Sequence, residues 1–252
     1  MQKTSADGGR VMYKIIGVIG GMGPAATADL LNKITDVTDA KNDQEHVRVI
    51  IDSNINIPDR TEAILHGGAD PLPELKASAE LLEKAGADMI IIACNTAHYY
   101  LPELQESTPL PIISMPAETA RLLKEKGVKK AAVLATDGTV KSGVYQKVLD
   151  AEGIEAIYPD AEQQNLLMSL VYDYIKKGIM DASKLPCREV KELCESLREQ
   201  GAEALLLACT ELPVAFSVMN LCDESVIDPT RVLAAAAVKF AGAPLNDPIL
   251  QL

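Results

Sequence analysis

Two cysteines draw attention because the same frame delivers each of them: GADMIIIAC from Gly86 to Cys94, and GAEALLLAC from Gly201 to Cys209. Each follows an apolar run that reads as a buried strand. Each precedes a polar pair able to cap a helix, Asn95-Thr96 and Thr210-Glu211. A thiol at a helix N-terminus has its thiolate favoured by the dipole, so either cysteine is expected to serve as a base near neutral pH. Two such groups on opposite sides of one carbon would supply what inversion beside a carboxylate requires: one removes hydrogen while the other returns it to the far face. That hydrogen is very weakly acidic, so a thiolate of intrinsic pKa about 8.5 needs strong stabilisation of the developing carbanion. The competing reading is a pair of inert, buried small side chains at strand ends.

The elements that would place these thiols form a repeat. Eight short aliphatic runs read as strands: KIIGVIG from Lys14, VRVIID from Val47, MIIIAC from Met89, PIISM from Pro111, KAAVLA from Lys130, EAIYP from Glu155, ALLLAC from Ala204 and SVIDP from Ser225. Helical stretches such as LPELKASAELLEKAG and CREVKELCESLREQG alternate with them, with apolar spacings of three and four. This order predicts α/β architecture with parallel sheets. At an offset of 115 residues Cys94 falls on Cys209, Lys14 on Lys129, Val18 on Val133, Gly23 on Gly138 and Ile112 on Ile227. One offset serving several strands points to a duplicated unit. The expected fold is two pseudo-symmetric lobes, each a roughly four-stranded parallel sheet flanked by helices. Residues 1–115 plus 230–252 would form the first lobe and 116–229 the second. Ligands of open α/β sheets bind beyond the carboxyl ends of the strands, where both cysteines sit, so duplication would bring two thiols to one cleft.

Composition narrows the partners. Trp is absent and aromatics are 4% of the chain, which suits aliphatic strands buried on both faces by helices. A formal charge of −12 disfavours nucleic acid and anionic membrane surfaces. No apolar run approaches the ~18 residues of a membrane span. The polar start MQKTSADGGRVMYK lacks the apolar core of a signal peptide, and reads as a loose extension of a cytoplasmic protein. Five cysteines without a secretory signal are expected to be reduced.

Other residues divide less sharply. Cys187 and Cys194 share the apolar face of a helix with Val190, Leu193 and Leu197, and Cys222 lies in a loop. His98, four residues after Cys94, could tune the thiol or hold its loop, while His46 and His66 are isolated. No metal site is expected from this scatter. Gly21-Met22-Gly23-Pro24-Ala25-Ala26 satisfies a dinucleotide-binding G-x-G-x-x-A pattern. That pattern's acidic partner belongs about 20 residues on, whereas Asp52 is 31 residues beyond Gly21. A thiol sensor joining Cys94 and Cys209 in a disulfide is the non-enzymatic rival.

With CNTAH (Cys94 to His98) and ACTE (Ala208 to Glu211), the chain resembles the aspartate/glutamate racemase family, above all its cofactor-independent aspartate racemases. GVIGGMGPAAT from Gly17, IPDRT from Ile57 and ATDGTVKSGVY from Ala135 agree in order, over roughly residues 14–241. The resemblance implies a two-lobed homodimer that inverts a small dicarboxylic amino acid without a cofactor, with Cys94 and Cys209 on either side of the α-carbon. It further implies that Asn95, Thr96 and Thr139 meet the α-carboxylate region, with Thr210 near the second thiol and Met22 and Gly23 lining the same end. Arg60 and Lys176, or the adjacent Lys177, would meet the side-chain carboxylate, with Asn54 a further substrate contact in the same block and His98 and Glu211 in support. Without that role Arg60 would be a surface ion pair and the lysines a solvated face. Two departures stand out: Asp52-Ser53, where the family pattern is less acidic, and the extension before Met12. A glutamate or broad-specificity racemase and a maleate-type cis-trans isomerase share the two-cysteine requirement. A one-cysteine decarboxylase fits less well, because both positions are filled.

Overall fold

A computed structural model describes residues 12–246, so the extension before Met12 lies outside the described residues. In chain order its first half contains β1 (Ile16–Gly20), α1 (Pro24–Val37), β2 (Val49–Ser53), α2 (Arg60–His66), α3 (Leu72–Lys84), β3 (Met89–Ile92), α4 (Leu101–Gln105) and α5 (Met115–Glu125). There follow β4 (Lys130–Ala135), α6 (Asp137–Ser142), α7 (Val144–Ala151), β5 (Glu155–Ile157), α8 (Ala161–Ser169), α9 (Cys187–Glu199), β6 (Ala204–Ala208), α10 (Leu212–Val218), β7 (Val226–Ile227) and α11 (Pro229–Ala241). Two parallel sheets result, one ordered β2-β1-β3 and the other β5-β4-β6-β7. Among the described residues no helix is long and apolar enough to cross a membrane.

The repeat is written into the strand register. Ile16 pairs with Met89 and Ile19 with Ile92; 115 positions on, Ala131 pairs with Ala204 and Leu134 with Leu207. Both central strand pairs are buried on both faces, as parallel sheets between helices require. In the first sheet Ile16, Val18, Met89 and Ile91 pack towards Leu233 and Val238, while Ile19, Ile90 and Ile92 pack towards Leu75 and Leu82. In the second, Val133 and Leu206 meet Leu123 and Leu149, and Leu205 and Leu207 meet Leu193, Leu197 and Phe216. Helix α11 packs along α1 and α5.

The strand expectation needs one correction. PIISM does not form a strand, so the first sheet has three strands where four were expected. Its remnant is a single parallel bridge between Ile90 and Ile112. The Ile90 N–H donates to the Pro111 carbonyl (2.9 Å) and the Ile113 N–H to the Ile90 carbonyl (3.0 Å), and the ladder goes no further, while the Ile112 N–H on the outer edge donates to Gln105 Oε1 (2.9 Å). The symmetric SVIDP run is scarcely longer as β7, Val226–Ile227.

Candidate active site

The carboxyl ends of β1, β3, β4 and β6 open into one narrow pocket. Cys94 and Cys209 both line it and are 6% and 7% exposed. Around them stand Met22, Asp59, Arg60, Thr61, Asn95, Thr96, Thr136, Tyr172, Lys176, Thr210 and Glu211. Both thiols are free. A wider, largely apolar vestibule adjoins the pocket, and Met22, Asp59, Arg60, Lys176, Thr210 and Glu211 line both spaces. Gly23 and Met180 face the vestibule only.

The β1–α1 turn is built from GGMG. Gly21 has φ +88°, and a Cβ there would meet the Asn54 backbone at 2.5 Å, so only glycine fits. This turn puts Met22 in the pocket and offers its carbonyl to Arg60 Nη2 (3.1 Å). Of the dinucleotide-like pattern, Met22 lines the thiol pocket and the other residues line the vestibule. Arg60 begins α2 and is 8% exposed, so it is no surface ion pair. Its Nη1 donates to the Pro58 carbonyl (3.0 Å), while its buried Nε has no partner among the described residues. Burial alone would lower the guanidinium pKa. The neighbouring Cys94 and Asp59 more than offset that and hold it above the ordinary arginine value.

The capping expectation fails in an informative way. Neither Asn95 nor Glu211 caps a helix with its side chain. The polar groups are spent in the cleft instead. Asn95 Oδ1 accepts from the Tyr145 hydroxyl (2.6 Å), which leaves Asn95 Nδ2 buried with no partner among the described residues. Thr96 Oγ1 lies 2.7 Å from Thr139 Oγ1 and 3.2 Å from Thr136 Oγ1, joining the end of β3 to the start of α6 across the lobes. Thr139 therefore stands behind the pocket, where it holds Thr96.

Glu211 makes the two thiols unlike. Cys209 Sγ donates to Glu211 Oε2 (3.0 Å), which also accepts from Thr210 Oγ1 (3.0 Å). Burial first, and the Glu211 carboxylate second, push the Cys209 thiol well above its ordinary pKa. The expectation that Cys209 is a ready base at a helix N-terminus is therefore reversed. Loss of hydration and a carboxylate in contact outweigh the partial charge of the seven-residue α10. At Cys94 the neighbour is the Arg60 cation.

His98 holds the loop. Its Nδ1 donates to the Cys94 carbonyl (2.9 Å) and its Nε2 accepts from the Met115 N–H (3.1 Å), pinning the first thiol's backbone to the start of α5. Burial lowers its pKa to about 4, so the ring is neutral. The choice between the two lysines also resolves. Lys176 lines the pocket, whereas Lys177 is exposed and pairs with Asp173 (2.9 Å). Burial would lower the Lys176 pKa, yet Glu211, Tyr172 and the two thiols hold it above the ordinary value. Asn54 is not brought in: its Nδ2 donates to Glu74 Oε2 (3.1 Å) and Ser78 Oγ (3.2 Å), and neither it nor Asp52 faces the pocket. Cys194 sits in the second core and is pushed up to about 11 by burial, while Cys187 and Cys222 lie away from the cleft.

The sequence pattern of Asp/Glu/hydantoin racemases matches residues 19–237. The chain belongs to that family. It is 30% identical over 242 residues to the broad-specificity amino-acid racemase RacX of Bacillus subtilis (strain 168), spanning 89% of this chain and 96% of that one. It is 29% identical over 170 residues to the glutamate racemase of Aquifex aeolicus (strain VF5), covering 66% of this chain and 63% of the relative. Among solved structures, Picrophilus torridus aspartate racemase superposes with a TM-score of 0.83 at 36% identity, over 95% of this chain and all (100%) of that one. The protein is therefore an amino-acid racemase with the α/β fold of its relatives. Asp59, Thr61, Thr136 and Tyr172 of this racemase's pocket escaped the sequence reading. Asp59 and Thr61 flank Arg60 in IPDRT and Thr136 opens TDGT, so their blocks were visible although their roles were not.

Proposed function

We propose that this racemase interconverts L- and D-aspartate without a cofactor, using Cys94 and Cys209 as acid and base on opposite faces of the α-carbon. The observation that carries the reading is the joint lining of one buried pocket by two free thiols and two cations, Arg60 and Lys176. A dianionic substrate entering a chain of net charge −12 needs such a local positive site. The identity to the Picrophilus torridus aspartate racemase supports aspartate as the first substrate to test.

In the free protein Cys209 is the thiol that carries a proton, because Glu211 accepts from it. Cys94, with Arg60 against it, takes the base role in that direction. The α-C–H bond breaks, an S–H bond forms on Cys94, and the electron pair remains on the α-carbon, spread into the α-carboxylate. Asn95 Nδ2, buried and unsatisfied, is the donor available to that carboxylate as its charge grows. Cys209 then gives its proton to the opposite face, leaving Cys94 protonated and Cys209 as thiolate, the state that serves the other enantiomer. Between turnovers the proton on Cys94 passes to solvent and Cys209 regains one from solvent, which resets the pair for the first enantiomer.

The test is chiral analysis of L-aspartate incubated with reduced protein in deuterated buffer, with no cofactor added. The reading expects α-deuterated D-aspartate. Neither inversion nor exchange would overturn aspartate as substrate and move the test to glutamate, then maleate. A reading as a broad-specificity racemase is favoured by the Bacillus subtilis relative. Comparable inversion of unrelated amino acids would replace the aspartate reading with that one.

A further inference from the structure

Among the described residues Tyr172 is the only aromatic side chain lining the thiol pocket, and the chemistry above gives it no task. It stands in a π-helical turn, Leu170–Tyr174, a form found often as a single turn at functional sites. Lys176 follows in the tight turn Ile175–Lys177. Its Nζ lies over the Tyr172 ring, 4.4 Å from the centroid, within the range of a cation–π contact. Tyr172 shares the pocket with Thr61, the neighbour of Arg60. One side chain thus carries one pocket cation on its face while lining the same pocket as the other.

The place Lys176 does not occupy matters as much. Glu211 is its strongest attraction, yet no ion pair within 4.0 Å joins them among the described residues. An ammonium that collapsed onto Glu211 would do two kinds of harm. It would be lost to the substrate, and it would partly neutralise the carboxylate to which Cys209 donates.

We propose that Tyr172 is a positioning residue whose ring face holds the Lys176 ammonium off Glu211 and presents it to the substrate's side-chain carboxylate. The inference rests on the aspartate reading above. It separates two functions of one helical segment: Lys176 supplies the charge and Tyr172 decides where the charge stands. The ring face, not the hydroxyl, performs the task.

The test is steady-state kinetics on L-aspartate with wild type, Tyr172→Phe, Tyr172→Leu, Lys176→Met and the Tyr172→Leu/Lys176→Met double variant. Tyr172→Phe keeps the ring and is expected within about threefold of wild type, whereas Tyr172→Leu should raise KM about tenfold. Tyr172→Leu should also move the alkaline limb of the kcat profile to lower pH, because Lys176 falling onto Glu211 relieves the pressure that keeps Cys209 protonated. In the Lys176→Met background the leucine change should add less than about twofold, since its target is gone. Full additivity, a KM unchanged by Tyr172→Leu, or equal losses for phenylalanine and leucine would each overturn the inference. Tyr172→Met, which keeps bulk without a ring, makes the same test if the leucine variant does not fold. A wild type inactive on aspartate overturns the functional reading itself, so the two failures are told apart.

Discussion

Replacing His98 by glutamine tests how the first thiol is held. The buried ring is neutral in the fold with a pKa of about 4, against 6.5 for an ordinary imidazole. The unfolded chain therefore takes up a proton on His98 between these values and the folded one does not, so stability rises with pH across that window. The contribution is fully present above pH 6.5 and is lost as pH falls towards 4. The whole gap is worth roughly 3 kcal/mol, of which about 2 kcal/mol is gone by about pH 5. Urea unfolding of wild type and His98→Gln at about pH 7.5 and about pH 5 measures it. At the higher pH the variant should be the weaker protein, because the Cys94 carbonyl and the Met115 N–H lose the shared partner. At the lower pH wild type should have lost about 2 kcal/mol more than the variant, narrowing the difference. Parallel pH dependences would refute a buried neutral histidine at this position. The same neutrality predicts that the activity profile above pH 6.5 carries no inflection from His98.

Cys94→Ala and Cys209→Ala should each abolish racemisation while leaving the melting temperature near that of wild type, as chiral analysis and thermal melts would show. Glu211→Gln removes the charge that helps raise the Cys209 pKa, so the alkaline limb of kcat against pH should move to lower pH; an unmoved limb would detach Glu211 from that thiol. Arg60→Ala should raise KM for aspartate by roughly 30- to 4000-fold, the range for truncating one partner of a buried charged contact; unchanged kinetics would take Arg60 out of the site. Gly21→Ala forces a Cβ to within 2.5 Å of the Asn54 backbone at φ +88°. It should cost about 1–3 kcal/mol in denaturant unfolding.

Much of this arrangement was legible because parallel α/β chains repeat their punctuation. The two GA-x-aliphatic-AC frames announced strand ends, and their common offset survives as the identical pairing of Ile16 with Met89 and Ala131 with Ala204. The edge of the first sheet was not legible, since PIISM has a strand's composition yet pairs with β3 only around Ile90, with its outer Ile112 N–H taken up by Gln105 of the preceding helix. The polar pair after Cys94 reads as a cap because capping is local, but its partners, Tyr145 and Thr139, are distant in sequence, whereas the pair after Cys209 is taken up locally, Glu211 accepting from Cys209 and Thr210. Lys176 and Lys177 are adjacent, so only the turn carrying them decides which faces the thiols. Asn54 read as a substrate contact because it stands in the same block as Arg60; its commitment to Glu74 and Ser78 requires α3 to be in place.

The unlike neighbours of the two thiols, Arg60 at one and Glu211 at the other, have a thermodynamic limit. Enantiomers have equal free energy in water, so no asymmetry of the protein can shift their equilibrium away from unity. The Haldane relation then forces kcat/KM to be equal for the two hands of the substrate, whatever the environment of each sulfur. The imbalance built by Glu211 can surface only as compensating differences, a higher kcat for one hand matched by a higher KM. A duplicated scaffold with unequal halves is in that sense free to diverge: changes around one cysteine alter how tightly and how fast each hand is handled, never which hand prevails.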